Sequence, residues 1–143
     1  MKLETFERMK QRIPADKWGK YDAPGIYCIY ATYETKYKNV RYLLYIGKSK
    51  NMLRRLCEHL LEMDKVSWRS YFGEIERKYY LLNDFADAGF RINFDVMCYC
   101  DEGMLTAEED ALIAEYNPPL NTVKYDVETQ KHYRVKLDYR YTE

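Results

Sequence analysis

Alternating apolar and polar residues predict three β-strands. Residues 25–31 and 41–46 are rich in β-branched, aromatic and aliphatic side chains. The polar, turn-rich segment 32–40 lies between them, and this predicts an antiparallel hairpin whose loop is longer than a tight turn needs. We expect the second strand to stop at Gly47. Residues 91–100 alternate apolar with polar side chains and predict a third strand with one strongly apolar face.

A helix is predicted directly after the second strand. Ser49 and Asn51 are both good N-caps, so the helix should begin within two residues of position 50. Arg55 and His59 are four residues apart and lie on a flank of its apolar stripe. The stripe itself consists of Met52, Leu53, Leu56, Leu60 and Met63.

Two more helices complete the central pattern. We expect Ser67 or Ser70 to cap one helix and Gly89 to close it, and we expect the other to span about 105–116 before the Asn-Pro-Pro sequence at 117–119. The order β-β-α-α-β-α predicts an α+β domain in which helices cover a small antiparallel sheet. The apolar positions of the first of these helices are Tyr71, Ile75, Tyr79 and Leu82.

The flanks of the chain differ from its centre. Residues 1–23 are predicted to be an extension made of a short charged helix over 1–13, ended by Pro14, and a loop. Residues 24–122 carry the domain pattern. Residues 123–143 form a charged, tyrosine-rich tail, whose weak alternation leaves open an edge strand or a mobile end.

Composition narrows the class of protein. The length of 143 residues suits one domain, and 47% hydrophobic with 32% charged residues is typical of a soluble globular protein. Because the formal net charge is zero, a site for a polyanion must be a local concentration of Lys and Arg. No 18-residue apolar run and no signal-like N-terminus occur, so we expect a cytoplasmic protein that does not enter a membrane.

Four cysteines are then expected to be reduced thiols. Cys98 and Cys100 share a face of the predicted third strand, which raises the alternative of a metal pair. A zinc site needs two further ligands at matching spacing, and the sequence lacks them, so we favour buried structural thiols.

Basic residues are concentrated where the helix follows the second strand. Lys48, Lys50, Arg54 and Arg55 lie at a helix start, where free main-chain amides also attract anions. Taken alone, such a cluster is more often a solvated helix start than a phosphate site. Arg54 and Glu58 are four residues apart and are predicted to form a solvated ion pair.

Glu109 has two explanations that the residues alone leave open. The sequence Thr106-Ala-Glu-Glu109 has the form of a capping box, in which the carboxylate bonds back to the cap residue's amide. Glu109 also shares a helical face with Leu105, Leu112 and Ile113, and a carboxylate on an apolar face is costly unless a cation holds it. The neighbouring Glu108 is predicted to be solvated.

Several motifs together resemble the GIY-YIG endonuclease family. Gly25-Ile26-Tyr27 and Tyr45-Ile46-Gly47 occur in order, Arg55 and His59 follow, and a later segment runs from Glu109 to Asn121 through Pro118-Pro-Leu. Either tripeptide alone is a weak signal, whereas the ordered set is specific and covers residues 24–122. The resemblance implies a central three-stranded antiparallel sheet with flanking helices.

The resemblance also implies metal-dependent hydrolysis of phosphodiester bonds in DNA. Tyr27 and Tyr45 would be the paired active-site tyrosines, one of them acting on the attacking water. Lys48 and Arg55 would hold the phosphate, and His59 occupies a position that the family fills with histidine or tyrosine. Since a phenol has a pKa near 10, it can act as a base only if nearby cations lower that value.

Two further roles come from the closing motif. Glu109 would be the single protein ligand of a divalent cation, Mg²⁺ or Mn²⁺, and Asn121 would brace the site. Each active site would cut one strand, so double-strand cleavage would need a homodimer or two visits. The spacer from Tyr27 to Tyr45 is longer than in compact family members, so we expect the hairpin loop to contact DNA or a partner.

Two alternatives remain beside the nuclease. The first is a catalytically silent module of the same fold that binds branched DNA or a protein partner. The second is a subunit of a larger nuclease that associates through its tyrosine-rich surface.

Overall fold

The computed structural model describes residues 1–68 and 75–121, and a three-stranded antiparallel sheet lies at its centre. The strands are β1 Gly25–Glu34, β2 Asn39–Ser49 and β3 Arg91–Tyr99. Within these ranges the spatial order is β2-β1-β3, with β1 antiparallel to both neighbours. The predicted α+β class with helices flanking an antiparallel sheet is confirmed.

The hairpin is tighter than the sequence predicts. Both strands continue through the polar segment, and only residues 35–38 connect them. The Thr35 amide donates to the Lys38 carbonyl at 2.9 Å, which closes the turn. The predicted long loop was wrong because strand pairing is made by the main chain, and polar residues can extend a hairpin that projects into solvent. β2 also passes Gly47 and ends at Ser49.

Five α-helices lie in the described ranges, and three of them differ from prediction. The short helix at residues 18–21 lies where the sequence predicts only a loop. The N-terminal helix ends at Lys10, and residues 11–13 form a turn. The cap at Ser67 was wrong, since Ser67 is the last residue of one helix, while Ser70 and Tyr71 lie outside the described residues. The helices are α1 Leu3–Lys10, α2 Trp18–Tyr21, α3 Met52–Ser67, α4 Arg77–Asp87 and α5 Leu105–Tyr116, and the 3₁₀ turns are Ala15–Lys17, Glu102–Met104 and Pro119–Asn121.

Local sequence explains the ends of these helices. Asn51 caps α3, its side chain accepting the Arg54 amide at 3.0 Å, as predicted. Gly89 follows α4 with φ +97, and the amide of Phe90 bonds back to the Phe85 carbonyl at 3.0 Å. Glycine tolerates this left-handed conformation, so the predicted closure of α4 is confirmed.

Apolar side chains cover both faces of the sheet. Helices α3 and α4 pack on one face against Tyr27 and Ile29, and α5 packs on the other against Ile26, Cys28 and Ile46. We call these the α3 face and the α5 face. β1 is the central strand, so its side chains are buried on both sides.

β3 does not keep one apolar face, and this corrects the prediction. Ile92, Phe94 and Val96 pack on the α3 face, but the pairing with β1 shifts register at Met97. A β-bulge adds one residue and reverses the alternation. Cys98 and Cys100 therefore lie with the α5-face core. In the described chain all four cysteines are free thiols, with Cys28 and Cys57 buried and the other two half-buried.

Among the described residues no helix combines the length and apolar character needed to cross a bilayer.

Candidate active site

Two glycines let the strands and a tyrosine ring approach closely. Tyr27 pairs with Gly47 across the β1–β2 ladder, and its phenol ring lies directly over the glycine. A Cβ at Gly47 would collide with the Tyr27 hydroxyl and ring carbon. A Cβ at Gly25 would lie 2.6 Å from the Cys98 carbonyl oxygen and 2.7 Å from the Met52 methyl group. Both positions therefore require glycine for packing.

Three polar side chains form a hydrogen-bonded chain inside the α3-face core. The Tyr27 hydroxyl lies 2.5 Å from His59 Nε2, and the Tyr79 hydroxyl lies 2.8 Å from His59 Nδ1. Tyr27 is 1% exposed, His59 0% and Tyr79 2%. Both ring nitrogens of the histidine thus have partners, as a buried imidazole requires.

Burial keeps this chain uncharged near neutral pH. It lowers the pKa of His59 well below 6.5, and the positive charges of Arg55 and Lys78 lower it further. Burial raises the pKa of Tyr27 well above 10, with Tyr45 adding to the rise and Arg55 opposing it. Burial also raises the pKa of Tyr79. The imidazole is therefore neutral, and both phenols keep their protons.

Arg55 is a half-buried cation beside this chain. Its Nη1 lies 2.9 Å from Glu58 Oε2. Burial lowers the pKa of Arg55, but Tyr27 and Glu58 more than offset this, so the net pKa lies above its ordinary value and the guanidinium stays charged. Arg54 Nε lies 3.7 Å from Glu58 Oε1, so the predicted Arg54–Glu58 pair is confirmed, although Glu58 is closer to Arg55.

Tyr45 lies at the open side of the same group. It is half-buried on β2, and its ring centroid is 6.4 Å from that of Tyr27 and 5.8 Å from that of His59. The contact with His59 is edge-on. Tyr45 thus brings a phenol from the core toward the surface.

Lys78 of α4 is a second cation at this place. Its Nζ lies 4.5 Å from the Tyr45 ring centroid, 5.3 Å from the Tyr79 centroid and 3.0 Å from Glu76 Oε2. The side chain is only 10% exposed. An ammonium over an aromatic face is attracted by the ring's negative charge density.

Asn121, in the 3₁₀ turn that follows α5, hydrogen-bonds to the main chain of the second strand, β2. Its Oδ1 accepts the Ile46 amide at 2.9 Å, and its Nδ2 donates to the Ile46 carbonyl at 2.7 Å. Ile46 lies between Tyr45 and Gly47. The two bonds therefore fix β2 at the central residue of the Tyr45-Ile46-Gly47 motif.

Lys48 and Glu109 lie on the α5 face. Lys48 pairs with Ile26 and donates from Nζ to the Thr106 hydroxyl at 2.7 Å. Helix α5 begins at Leu105 with Met104 as its N-cap, and no side-chain cap bond is formed there within the described chain. Thr106 lies inside the helix, so the capping-box interpretation was wrong.

Glu109 is half-buried and electrostatically linked to Lys48. Burial raises its pKa, while the charge of Lys48 and a hydrogen bond from the Lys48 main chain lower it again. Glu109 thus combines an apolar surrounding with one nearby cation. This is the arrangement of a carboxylate that gains from a further positive charge.

The seven predicted site residues fall into two groups and a connector. Lys48 and Glu109 form the α5-face group, and Asn121 holds β2 between the groups. In residues 1–68 and 75–121 no hydrogen bond joins the two groups. The α3-face group is Tyr27, Tyr45, Arg55 and His59.

Sequence reasoning missed Lys78 and the chemistry of Tyr79. Tyr79 was assigned only to an apolar stripe, and its burial agrees with that, but its hydroxyl meets a histidine 20 residues away in the chain. Lys78 carries no motif. Only the packing of α4 on α3 brings Lys78 and Tyr79 to the site, so no local sequence pattern predicts the role of either residue.

The described residues fit a cation held by a single carboxylate. They contain no group of three or more His, Cys, Asp or Glu side chains arranged to hold a metal ion. Mg²⁺ commonly uses one or two carboxylates and completes its shell with water and substrate oxygens. Glu109 meets that requirement. Its carboxylate is half-buried, so a cation can still reach it, and its partial burial makes a neighbouring positive charge favourable.

Comparison with known proteins gives a structural likeness. No family model matches the sequence, and no curated protein matches it. Three structures of the GIY-YIG N-terminal endonuclease domain of UvrC from Thermotoga maritima align with 87% of this chain and 100% of theirs. The chain is similar to a GIY-YIG endonuclease domain. Identities are 18%, 18% and 19%, with TM-scores of 0.39, 0.37 and 0.36.

The UvrC structures are point mutants bound to a catalytic divalent cation. At these identities and TM-scores the GIY-YIG likeness transfers no residue role to this chain.

Proposed function

We propose that this chain is a divalent-metal-dependent endonuclease that hydrolyses phosphodiester bonds in DNA, one strand per active site. The main support is the convergence of two phenols, an imidazole and two cations around Tyr45, where β2 meets α3 and α4. Such a site supplies proton-handling groups beside positive charge. Phosphodiester hydrolysis needs both, because a water must lose a proton while negative charge builds on the phosphate.

Arg55 is the proposed phosphate ligand. A guanidinium has five N–H donors in a rigid fork, and Glu58 engages Nη1. The donors that neither Glu58 nor Tyr27 engages suit phosphate oxygens, which bind arginine through paired hydrogen bonds. Lys78 is close enough to Tyr45 to add positive charge on the same side.

Tyr45 is the better of the two tyrosines to contact the attacking water. Tyr27 is 1% exposed, and its hydroxyl is engaged by His59. Burial raises the pKa of Tyr27, which makes loss of its proton harder. Tyr45 is half-buried and faces the open side of the group. We therefore assign water activation to Tyr45 and a supporting role to Tyr27 and His59.

Glu109 is the proposed ligand of Mg²⁺ or Mn²⁺, with Lys48 beside it. A divalent cation bound there would stabilise the negative charge that develops during hydrolysis. β2 connects the two groups, because Tyr45 and Lys48 are three residues apart on opposite faces, about 10 Å along the strand. A DNA backbone that crosses the end of β2 would contact both. Asn121 would keep this part of β2 in place.

The first experiment is cleavage of supercoiled plasmid with and without Mg²⁺. We expect wild-type protein to produce nicked circles before linear DNA, which is the sign of one cut per visit. Arg55→Ala and Glu109→Gln should lose about 100-fold or more of the nicking rate. Their matched controls are Arg54→Ala and Glu108→Gln, which change the neighbouring residue of the same type and should stay near wild type. Equal nicking by all five proteins would contradict the proposal.

A second candidate function is a catalytically silent module that binds branched DNA or a protein partner. The separation of Glu109 from the phenols favours it, because a carboxylate on the opposite face of the sheet need not act with them. It predicts that no variant or metal gives cleavage of plasmid, branched or single-stranded DNA, while a four-way DNA junction is retained in a binding assay. Metal-dependent nicking that Glu109→Gln abolishes would exclude it.

A further inference from the structure

Tyr79 completes a buried chain whose direction matters. A neutral imidazole carries one hydrogen, so one nitrogen donates and the other accepts. With Tyr27 at Nε2 and Tyr79 at Nδ1, hydrogen bonds can run from Tyr27 through His59 to Tyr79, or in reverse. The direction decides whether His59 accepts the hydroxyl hydrogen of Tyr27 or donates to its oxygen.

The surroundings of Tyr27 favour the first direction. The Arg55 guanidinium lies close enough to the Tyr27 oxygen to act on it by charge and by hydrogen bonding. A positive group repels a hydroxyl hydrogen that points toward it, so the hydrogen of Tyr27 should point elsewhere. His59 Nε2, at 2.5 Å, is the acceptor that the structure places there.

Either direction leaves one buried hydroxyl hydrogen outside the chain, that of Tyr79 in the first direction and that of Tyr27 in the reverse. The charge of Arg55 reaches both hydroxyls, but at Tyr79 the carboxylates of Glu62 and Glu76 oppose it, so a hydroxyl hydrogen is better placed at Tyr79. If Nε2 carried the hydrogen, the Tyr27 hydroxyl would have to turn toward the Arg55 cation or into the surrounding side chains. Tyr27 is 1% exposed, and its ring lies against Gly47, so water is a poor alternative. Leaving a buried hydroxyl unpaired is costly.

We propose that Tyr79 is a positioning residue of the site, which accepts the Nδ1 hydrogen of His59 and thereby keeps Nε2 free to accept the Tyr27 hydroxyl. Through this chain a residue of α4 sets the orientation of the Tyr27 hydroxyl, which faces Arg55 and lies beside Tyr45. The relevance to catalysis rests on the proposed nuclease function. The hydrogen-bond direction itself does not.

The test is ¹⁵N nuclear magnetic resonance of the full chain labelled at histidine, with His132→Gln used to assign the His59 signals. We expect wild type to carry the hydrogen on Nδ1. Tyr79→Phe removes the acceptor, so the hydrogen should move to Nε2. Tyr80→Phe is the matched control, since Tyr80 is the adjacent tyrosine and is 37% exposed, and it should leave the tautomer unchanged.

Cleavage kinetics give the second readout. Tyr79→Phe should lower kcat by about tenfold or more with KM little changed. The reason is that the Tyr27 hydroxyl, whose orientation the variant changes, acts in the chemical step and not in substrate binding. Tyr80→Phe should change neither. A hydrogen on Nε2 in wild type would overturn the proposal, and so would an unchanged tautomer in Tyr79→Phe. If Tyr79→Phe does not fold, the tautomer of His59 in the wild type alone tests the proposal. If the protein cuts no DNA, the nuclear magnetic resonance measurements still test the hydrogen-bond direction.

Discussion

The two faces of the sheet use polar residues in opposite ways. On the α3 face, Tyr27, His59 and Tyr79 are almost fully buried and hydrogen-bond one another. On the α5 face, Lys48 is exposed and Glu109 is half-buried. The first group is neutral and bonded on both sides of its imidazole, whereas the second consists of two charges near water.

This difference separates two tasks that a hydrolase must perform. A buried, bonded chain holds proton-carrying groups in one orientation, because each member has a packed environment and a partner. A half-buried carboxylate can bind a cation, and an exposed ammonium can bind a phosphate, without disturbing the packed core. β2 carries Tyr45, whose ring contacts Tyr27 and His59, and also Lys48 of the α5 face, so its position controls how the two faces meet. Four predictions test this division, from the largest expected effect to the smallest.

Gly47→Ala should have the largest effect. The new methyl group would collide with the Tyr27 ring, and the ring cannot move without disturbing His59. We expect the free energy of unfolding to fall by about 3 kcal/mol. Urea denaturation measures it.

The control for this change is Gly19→Ala. A Cβ there meets nothing within 4 Å, and Gly19 lies in helix α2, so alanine should be neutral or slightly stabilising. Equal unfolding midpoints for the two variants would show that the Tyr27 ring is not tightly held, and the contrast between the faces would fail.

Asn121→Ala should be the next largest. It removes both bonds to Ile46, whose side chain is 0% exposed, and leaves a main-chain donor and acceptor without partners. We expect a loss of about 2 kcal/mol in the free energy of unfolding. Asn93→Ala is the comparison. The Asn93 side chain donates to the Thr32 hydroxyl at 3.0 Å rather than to the main chain of a buried strand residue such as Ile46. A smaller loss for Asn121 than for Asn93 would mean that β2 does not need this clamp.

Much of the α3 face could be predicted from sequence. Helical spacing placed Arg55 and His59 on one side of α3, and strand alternation placed Tyr27 and Ile29 together, because both patterns are local. Motif resemblance then joined them to Tyr45. What the sequence did not contain is the partner of His59 Nδ1, because Tyr79 meets it through the packing of two helices.

The α5 face was harder for a physical reason. The form Thr-x-x-Glu predicts a capping box, but α5 begins one residue before Thr106, and the Thr106 hydroxyl accepts from Lys48 instead. The capping box would start the helix at residue 107, and α5 starts two residues earlier, so the side chain of Thr106 is left to accept the tertiary hydrogen bond from Lys48. The bulge at Met97 could not be predicted from the sequence either, because it depends on how β3 pairs with β1.

The third prediction concerns pH and the buried imidazole. Burial lowers the pKa of His59 in the folded chain, so below pH 6.5 the unfolded chain takes up a proton that the folded chain refuses. Stability from this residue is therefore present above pH 6.5 and lost as the pH falls. We expect a slope of about 1.4 kcal/mol per pH unit below that point.

His59→Gln isolates this contribution, because the difference between wild type and variant cancels all other titrating groups. Urea unfolding from pH 7.5 to 5.0 gives the two curves. The wild-type curve should fall more steeply, and the two should run parallel above pH 7. Parallel curves across the whole range would show that His59 is charged when folded, which the buried chain does not allow.

The smallest effect on stability should come from Lys48→Met on the α5 face. Lys48 is exposed, and its bond to the Thr106 hydroxyl lies at the surface, so we expect the free energy of unfolding to change by under about 1 kcal/mol. The pKa of Glu109 should nevertheless rise further, because the positive charge that lowers it is gone. Carbon-detected nuclear magnetic resonance of the carboxyl group measures that titration, with Lys50→Met as the control for general charge loss. An unchanged titration in Lys48→Met, or an equal shift in both variants, would mean that Lys48 and Glu109 do not act as a pair and that the α5 face lacks the adjustable charge assigned to it.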